Sequence, residues 1–341
     1  MTDFYQLPLA DLESRYEALV RDALPLWDID RNSPLALLKL RENAVFSVLD
    51  RAGGEKYVVR VHRAGYHTDA ELRSEWQWIN SLGEYGVLTP VLRYSSNNRM
   101  FEIVASADVP EPRQVDIVEW IDGEQMGSLE QGVGGDADEI LERFGTLGGI
   151  MAKMHNQVEA WREPEGFTRH AWDEDGLTGE EPFWGRFWEL PALNGRQKQT
   201  LMDVREKLRS DLASLGKSPA IYGMIHADLV FENVLAGKDG LRVIDFDDSG
   251  YGWYLFDLVT SIFFLRGSEH FTPAQDALIA GYRQHRPLPD EHLAWLPVMF
   301  MARATTYLGW MHTRAETETA REMTPLVIEL AFGLVEDYLD S

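Results

Sequence analysis

The run from His226 to Asn233, which reads His-Ala-Asp-Leu-Val-Phe-Glu-Asn, constrains this chain more than any other feature. A second motif, Ile-Asp-Phe-Asp at 244–247, follows shortly after it. Together they place a candidate base, an amide oxygen and a second carboxylate in neighbouring segments. Phosphoryl transfer assisted by Mg²⁺ requires such a set, because the protein mainly positions groups and neutralises charge on oxygen. A kinase is therefore the leading interpretation.

Three polar side chains in these motifs have a predicted chemical role. Asp228 orients the acceptor hydroxyl and takes its proton. Asn233 and Asp245 supply a neutral and an anionic oxygen to Mg²⁺, a hard cation that prefers oxygen ligands. The short apolar strand 241–244 delivers Asp245 to a strand end, where metal ligands are commonly presented. The alternative is that the first motif only caps a turn and the second begins a solvated loop.

The two motifs resemble the aminoglycoside phosphotransferase and choline kinase superfamily, whose catalytic loop reads His-Gly-Asp-x4-Asn and whose metal loop reads Ile-Asp-Phe-Asp or Glu. The layout resembles its homoserine-kinase-like and stress-response-kinase branch over about residues 35–335. Ala227 departs from the family's usual glycine, which matters if the position requires a positive φ. The resemblance implies a bilobal protein-kinase-like fold of α+β class. It has a small antiparallel β-sheet lobe with one main helix and a larger, mostly helical lobe.

Hydrophobic patterning predicts elements in that order. Short, β-branched-rich runs predict five strands, at 35–40, 44–49, 57–61, 101–104 and 115–120. The segment from Thr68 to Glu71 has the form of a capping box that opens a helix through Leu82. Later helices are predicted over 136–161, 195–215, 273–285, 290–312 and 321–339. The implied domains are an N-terminal nucleotide-binding lobe (1–121), a hinge and linker (122–135) and a C-terminal catalytic and substrate lobe (136–341).

The resemblance also implies a cation on the third strand that reaches the α- and β-phosphates of ATP and is held by a carboxylate on the following helix. Arg60 stands there instead of lysine. It keeps the charge and offers a planar fork, but it differs from lysine in reach and geometry. Its partner is predicted to be Glu75, with Glu71 one helical turn away as the competitor. The alternative is that Arg60 and Glu75 are ordinary solvent-facing charges.

Two further nucleotide contacts follow from position in the resembled fold. Asn43, next to Arg41 and Glu42, lies between the first two strands, where protein kinases carry a glycine-rich loop over the phosphates. No glycine is present here. Adenine is expected to bond backbone groups around Glu119 and Ile121, at the hinge between lobes. The alternative for this second segment is an edge strand followed by a turn.

Three polar residues are predicted to support the loops without reacting. The resemblance implies that Asp257 hydrogen-bonds the backbone of the catalytic loop, and the alternative is a helix N-terminal aspartate favoured by the dipole. His226 is assigned a supporting role, and Asp247 a supporting or second-metal role. His155 is predicted to be a core or capping histidine without a catalytic function.

Two aromatic-rich segments of the second half are candidates for an acceptor site. Aromatic residues at 183–188 recur at helical spacing, which predicts a buried stripe rather than an ammonium site. Four residues late in the chain are candidates to border the acceptor pocket, although their spacing also fits one packed face: Arg303, Tyr307, Trp310 and His312.

Composition narrows the class of partner. The 341 residues carry a formal net charge of −24, which disfavours nucleic acid and anionic membranes and would attract a cationic substrate or serve solubility alone. Cysteine is absent, which excludes disulfides and thiolate metal sites. No signal peptide or long apolar run is visible, so the cytoplasm is the expected location.

The sequence thus predicts transfer of the γ-phosphoryl group of Mg-ATP to a hydroxyl of a small molecule. Amino alcohols, homoserine-like or aminoglycoside-like compounds are the expected acceptors. A stress-response-type Ser/Thr kinase acting on a protein substrate is the second interpretation. A nucleotide-binding pseudokinase, with turnover weakened at Arg60 and Ala227, is a third. A metal-dependent hydrolase with His226 and Asp228 as ligands is a fourth.

Overall fold

The computed structural model describes residues 4, 7–41, 43–128, 132–315 and 317–340, so Glu42 of the predicted phosphate cover lies outside the described residues. The chain forms two compact units. The first comprises Met1–Gly123 and Glu163–Thr168, and the second Glu124–Arg162 and Arg169–Ser341. Helices and antiparallel sheets are both present, which confirms the predicted α+β class. The functions assigned to the predicted domains remain predictions.

The first unit is an antiparallel sheet with two helices. The helices are α1 (Leu9–Ala23) and α2 (Asp69–Glu84). The strands are β1 (Leu35–Leu40), β2 (Ala44–Leu49), β3 (Lys56–Val61), β4 (Leu92–Arg93), β5 (Glu102–Val104) and β6 (Arg113–Glu119). The sheet order is β1-β2-β3-β6-β4, and β5 also pairs with β6. The antiparallel β3–β6 pair sets Arg60 directly opposite Asp116.

Of the two helices of this unit, α2 has a clear start signal in its sequence and α1 has no side-chain cap. The Oγ1 of Thr68 accepts from the Glu71 amide at 3.2 Å, and the Glu71 carboxylate accepts from the Thr68 amide at 2.8 Å, so the predicted capping box opens α2. Helix α1 is absent from the elements that the sequence patterns predict. It buries Tyr16, Leu19, Val20 and Ala23, a stripe at helical spacing, in the same apolar core as the sheet.

The second unit is mostly helical. Its helices are α3 (Ala137–Ala160), α4 (Glu174–Thr178), α5 (Gly195–Leu215), α6 (Tyr254–Ile262), α7 (Phe271–Arg283), α8 (Asp290–Leu293), α9 (Leu296–Thr313) and α10 (Glu318–Asp340). Its short strands are β7 (Glu124–Gln125), β8 (Gly127–Ser128), β9 (Gly132–Val133), β10 (Ala171–Trp172), β11 (Tyr222–Ile225), β12 (Val234–Gly237), β13 (Gly240–Val243) and β14 (Gly250–Trp253). The order is β10-β14-β11 in one sheet and β13-β12-β7 in another, while β8 pairs with β9.

One predicted helix of this unit and the helical spacing of one aromatic segment are corrected by the structure. The helix expected over 290–312 is divided into α8 and α9, because Pro297 lacks an amide hydrogen and is tolerated only in the first turn of a new helix. The aromatic stripe at 183–188 is not a helix. Gly185 has φ +109°, which is incompatible with helical backbone, and only Phe187–Glu189 forms a 3₁₀ turn. Trp184 and Phe187 are nevertheless buried, as predicted.

Glycines allow α3 and α7 to pack at very short range. A side chain on Gly148 would collide with the carbonyl of Leu278, and one on Gly281 with the carbonyl of Gly145. The close approach brings His155 of α3 against Tyr282 of α7 in the core. Across the described helices, none combines the length and the apolar character that a membrane span needs.

Candidate active site

The segment from His226 to Asn233 connects β11 to β12 and ends in a 3₁₀ turn, Phe231–Asn233. Ala227 is fully buried and has φ +65°, in the left-handed region. The substitution of the family's glycine therefore falls on a position that requires a positive φ. An L-residue there costs about 1–2 kcal/mol, which the surrounding contacts must offset.

Asp257 of α6 holds the backbone of this segment at His226 and Ala227. Its Oδ1 accepts from the Ala227 amide at 2.8 Å and its Oδ2 from the His226 amide at 3.0 Å. His155 donates from Nε2 to the same carboxylate at 3.2 Å, and its Nδ1 accepts from the Tyr282 hydroxyl at 2.9 Å. The contact that the resemblance implies for Asp257 is thus present, and the catalytic value of that contact remains a prediction.

Burial and hydrogen bonding fix the charges of this pair. Burial alone would raise the pKa of the Asp257 carboxyl, but hydrogen bonds from His155 and the loop backbone lower the pKa below its usual range. Burial lowers the pKa of His155. A neutral imidazole and an ionised carboxylate satisfy both directions. His155 lies in the core without contact to Asp228 in the hydrogen bonds described, consistent with its predicted structural role.

Asp228 and Asn233 are joined by the fold of the loop. The amide nitrogen of Asn233 donates to the main-chain oxygen of Asp228 at 2.8 Å and to its Oδ2 at 3.1 Å. The Val230 amide also donates to the Asp228 main-chain oxygen, at 2.8 Å. Because its nitrogen is committed to Asp228, Asn233 has its amide oxygen left for a cation. The Asp228 side chain keeps 24% of its surface exposed, so a substrate can reach it.

The β12–β13 hairpin brings the second motif beside the first. Val234 pairs with Val243, and one residue further out the Ile244 amide donates to the Asn233 carbonyl at 2.9 Å. His226 donates from Nε2 to the Ile244 carbonyl at 3.0 Å, which ties the two loops together. Asp245 follows with φ +64°, a conformation that aspartate adopts more readily than most residues.

These residues form a donor set that fits a hard divalent cation. The candidates are oxygen atoms only, one neutral from Asn233 and one anionic from Asp245, as Mg²⁺ and Ca²⁺ prefer. Asp247 is buried, and its main-chain oxygen accepts from the Arg169 guanidinium. The metal-binding and supporting roles of these residues remain predictions.

Arg303 of α9 is a contact that sequence reasoning did not find. It was expected only to border an acceptor pocket, but its Nη2 donates to Asp228 Oδ1 at 2.6 Å. The Tyr307 hydroxyl also accepts a hydrogen bond from Arg303. Trp310 instead contacts Arg314, and His312 Nε2 lies 3.9 Å from a Glu189 oxygen. A charged residue within an otherwise apolar run, Val298–Ala302 followed by Arg303, is the signal that could have indicated a buried partner.

In the first unit, Arg60 is held by two carboxylates. Its Nε and Nη2 donate to Asp116 Oδ1 and Oδ2 at 2.8 and 2.7 Å, and Nη2 also donates to Glu75 Oε1 at 3.1 Å. The Arg60 side chain is 12% exposed, and the carboxylates of Glu75 and Asp116 are fully buried. Arg60 and Glu75 are therefore not the solvent-facing charges of the alternative interpretation. Glu75 is the contact on α2, while Glu71 closes the capping box.

Asp116 was missed by sequence reasoning, although it is the stronger partner of Arg60. Its Oδ2 also accepts from His62 Nε2 at 3.0 Å and from Trp76 Nε1 at 2.9 Å. Burial alone would raise the pKa of the Asp116 carboxyl, but the charges and hydrogen bonds of Arg60 and His62 hold the pKa far below its usual range. An aspartate at an inward-facing position of an apolar strand could have indicated this pairing.

The other predicted nucleotide contacts are backbone-linked within the first unit. Asn43 Oδ1 accepts from the Arg63 amide at 2.9 Å, so Asn43 fastens the β1–β2 turn. The Glu119 amide donates to the Val91 carbonyl at 2.9 Å, which leaves that amide unavailable to adenine. Ile121 lies just beyond β6. The roles of Asn43, Glu119 and Ile121 in nucleotide binding remain predictions.

Several known proteins with similar sequences or structures are kinases. A microcompartment-associated aminopropanol kinase shares 32% identity and a TM-score of 0.81, with 94% of this chain and 97% of that chain covered. An amicoumacin kinase in complex with AMP-PNP, Ca²⁺ and Ami shares the fold at a TM-score of 0.77 and 20% identity, covering 97% and 96%. These similarities confirm the kinase-like fold.

The sequence comparisons agree with the structural ones. Homoserine kinase of Gluconobacter oxydans is 27% identical over 202 residues, which are 55% of this chain and 58% of that protein. The chain thus spans less than two thirds of that relative. The model of the phosphotransferase enzyme family matches residues 36–295, most of the chain. The resemblance inferred from the two motifs is confirmed: this chain belongs to the phosphotransferase enzyme family, and it is a phosphotransferase that acts on hydroxyl acceptors.

Proposed function

We propose that this chain transfers the γ-phosphoryl group of Mg-ATP to the hydroxyl of a small amino alcohol or a related metabolite. The arrangement of Asp228 carries the proposal. Its carboxylate is partly exposed, is fixed from both oxygens, and lies on a loop tied to the Asp245 segment. A residue that only capped a turn would not need a buried guanidinium on one carboxylate oxygen and an amide on the other.

The acceptor class rests on likeness and charge. The aminopropanol kinase is similar over nearly the whole chain at 32% identity, and its name describes a small amino alcohol. The net charge of −24 produces a field that attracts cations, including the ammonium group of such an acceptor. Homoserine-like acceptors remain within the same class, because homoserine also carries an amino group and a hydroxyl.

The reaction assigns one proton transfer to the protein. As the acceptor oxygen forms its bond to the γ-phosphorus, its O–H bond breaks and the proton passes to the Asp228 carboxylate. The bond between the γ-phosphorus and the bridging oxygen breaks, and ADP leaves with that electron pair. Asp257 contributes by fixing the backbone before Asp228, which keeps the carboxylate aimed.

Asn233 and Asp245 are the residues that would hold Mg²⁺. When bound, Mg²⁺ neutralises negative charge on the phosphates of the nucleotide. In the first unit, Arg60 is the proposed contact for the phosphates, with its guanidinium oriented by Asp116 and Glu75. Arginine suits this role because its guanidinium keeps its positive charge at any physiological pH.

The test compares ADP release by the wild type and Asp228→Asn across amino alcohols, homoserine, aminoglycosides and a protein substrate, with ATP and GTP. We expect kcat to fall about 10²–10⁴-fold in the variant, because the proton acceptor is lost while the side-chain volume is kept. Asp239→Asn is the matched control, since Asp239 is an exposed aspartate in the β12–β13 turn. A wild-type rate in Asp228→Asn would remove Asp228 from the mechanism.

One observation favours a second candidate, a nucleotide-binding pseudokinase. Arg60 Nε and Nη2 already donate to the two oxygens of Asp116. These two donors are therefore not directed at nucleotide phosphates, which would weaken nucleotide positioning for catalysis. In that case Mg-ATP would raise the melting temperature, while ADP release with every acceptor would stay at the background of Asp228→Asn. A measurable acceptor-dependent rate decides for the kinase.

A further inference from the structure

Arg303 makes two contacts to consecutive residues of the catalytic loop. Its Nη1 donates to the Ala227 carbonyl at 2.9 Å, and its Nη2 donates to Asp228 Oδ1 at 2.6 Å. The guanidinium is completely buried. One rigid cation thus holds both the backbone at the left-handed residue and the side chain that follows it.

The surroundings leave Arg303 little freedom. The Tyr307 hydroxyl, one helical turn further along α9, accepts from Nη2 at 2.8 Å. The guanidinium carbon lies 4.1 Å from the centre of the Tyr307 ring, 5.0 Å from that of Trp184 and 5.4 Å from that of Phe256. A buried cation without such partners would be strongly unfavourable, so the aromatic walls and the Asp228 carboxylate stabilise it together.

We propose that Arg303 is a positioning residue that occupies Oδ1 of Asp228, so that Oδ2 is the oxygen that meets the acceptor hydroxyl. This inference rests on the proposed kinase function. Oδ1 receives a short, charge-assisted hydrogen bond at 2.6 Å, whereas Oδ2 receives a longer one from a neutral amide, Asn233 Nδ2, at 3.1 Å. Oδ2 therefore keeps more capacity to accept a proton.

The charge state of Arg303 supports this geometry. Burial alone would lower the pKa of the guanidinium, but Tyr307 and Asp228 together raise the pKa above its ordinary value. The residue therefore remains a cation. Arginine also provides two parallel donors in one plane, which lysine cannot reproduce between a carbonyl and a carboxylate.

A merely structural arginine would affect folding but not the chemical step. We expect Arg303→Met and Arg303→Lys to lower kcat about 10²-fold while KM values for ATP and acceptor change less than about threefold, because a small misplacement of a reacting group costs this much. Methylguanidinium should restore part of the kcat of Arg303→Ala. Tyr307→Phe, which keeps the ring, should lower kcat only a few-fold.

Arg286 provides the matched control. It too is a buried arginine of the second unit, bound to Asn156 Oδ1 at 2.8 Å, Glu159 Oε1 at 2.6 Å and the Tyr254 ring. Arg286→Met should lower the melting temperature as Arg303→Met does, yet leave kcat within about threefold. Equal losses of kcat in both variants would mean that Arg303 acts only through folding.

A double-mutant cycle separates this inference from the proposed function. If Arg303 acts through Asp228, Arg303→Met adds little to the loss of kcat already present in Asp228→Asn. An inactive Asp228→Asn with a fully active Arg303→Met, or with fully multiplicative losses, overturns the positioning role alone. A fully active Asp228→Asn overturns the proposed function itself. If Arg303→Met does not fold, Arg303→Lys and Tyr307→Phe are carried through the same cycle.

Discussion

Asp116→Asn is the perturbation with the clearest expected result in the first unit. The two oxygens of Asp116 accept only from N–H groups: Oδ1 from Arg60, and Oδ2 from Arg60, His62 and Trp76. An asparagine amide must therefore turn its NH₂ group toward a donor whichever way it is placed. Removing one charge of a buried ion pair costs about 3–5 kcal/mol. We expect the lower end, about 3 kcal/mol, because Glu75 remains as a partner of Arg60.

Urea unfolding measures this loss, and hydrogen exchange of β3 and β6 locates it in the first unit. Glu102→Gln is the matched control, because Glu102 is also a buried carboxylate of this unit. Its partners are Ser95, Asn97 and the exposed Arg99, so its replacement should cost only about 1 kcal/mol. Equal losses in both variants would refute the assignment of Asp116 as the main partner of Arg60.

The pH dependence provides an independent check. The pKa of Asp116 is depressed in the folded protein, so its contribution to stability is present above the unfolded value of about 3.9 and is lost as the pH falls through the folded value. The stability gap between wild type and Asp116→Asn should therefore be largest near neutral pH and shrink below about pH 4. A gap that stays constant down to the acid transition would contradict the depressed pKa.

Two predictions concern the backbone of the catalytic loop. Asp257→Asn leaves one of the buried amides of His226 and Ala227 facing an NH₂ group instead of an acceptor, so thermal unfolding should reveal a loss of about 1–3 kcal/mol together with reduced kcat. No loss relative to Asp276→Asn, on the exposed face of α7, would count against this reasoning. Ala227→Val should cost more than about 2 kcal/mol, because a β-branched residue is strained at φ +65° in a packed site. Ala227→Gly should stay within about 1 kcal/mol of wild type, since relief of strain is offset by a lost methyl group and a more flexible unfolded chain; equal damage in both would exclude backbone strain as the cause.

Local patterns in the sequence were sufficient for elements whose signals lie within one segment. The capping box at Thr68 fixes the start of α2, and the helix predicted at 195–215 coincides with α5. The predicted helix 290–312 proved to be two helices, α8 and α9. The apolar periodicity alone does not show this break, because it is the same whether Pro297 lies inside a helix or begins a new one. The aromatic segment 183–188 buries Trp184 and Phe187 without being a helix, because Gly185 with its positive φ interrupts the helical backbone.

Contacts of the candidate site were likewise predictable where the residues are close in sequence, and not where they are distant. The residues within the two motifs are neighbours in sequence, and the hairpin between them brings them together. The partners Asp116 and Arg303 lie 56 residues from Arg60 and 75 residues from Asp228, so only strand register and helix packing determine those contacts. Predicting the contact of Asp116 would require the register of β3 against β6. Predicting the contact of Arg303 would require knowing which face of α9 packs toward Asp228.

The buried series Tyr282, His155 and Asp257 ends on the backbone of the catalytic loop. It crosses α7, α3 and α6, three helices of the core, before it reaches Ala227. The loop is therefore aligned from the interior of the protein, through side chains that are themselves buried. On the proposed function, we expect a conservative change at the buried Tyr282 to alter turnover with every acceptor alike.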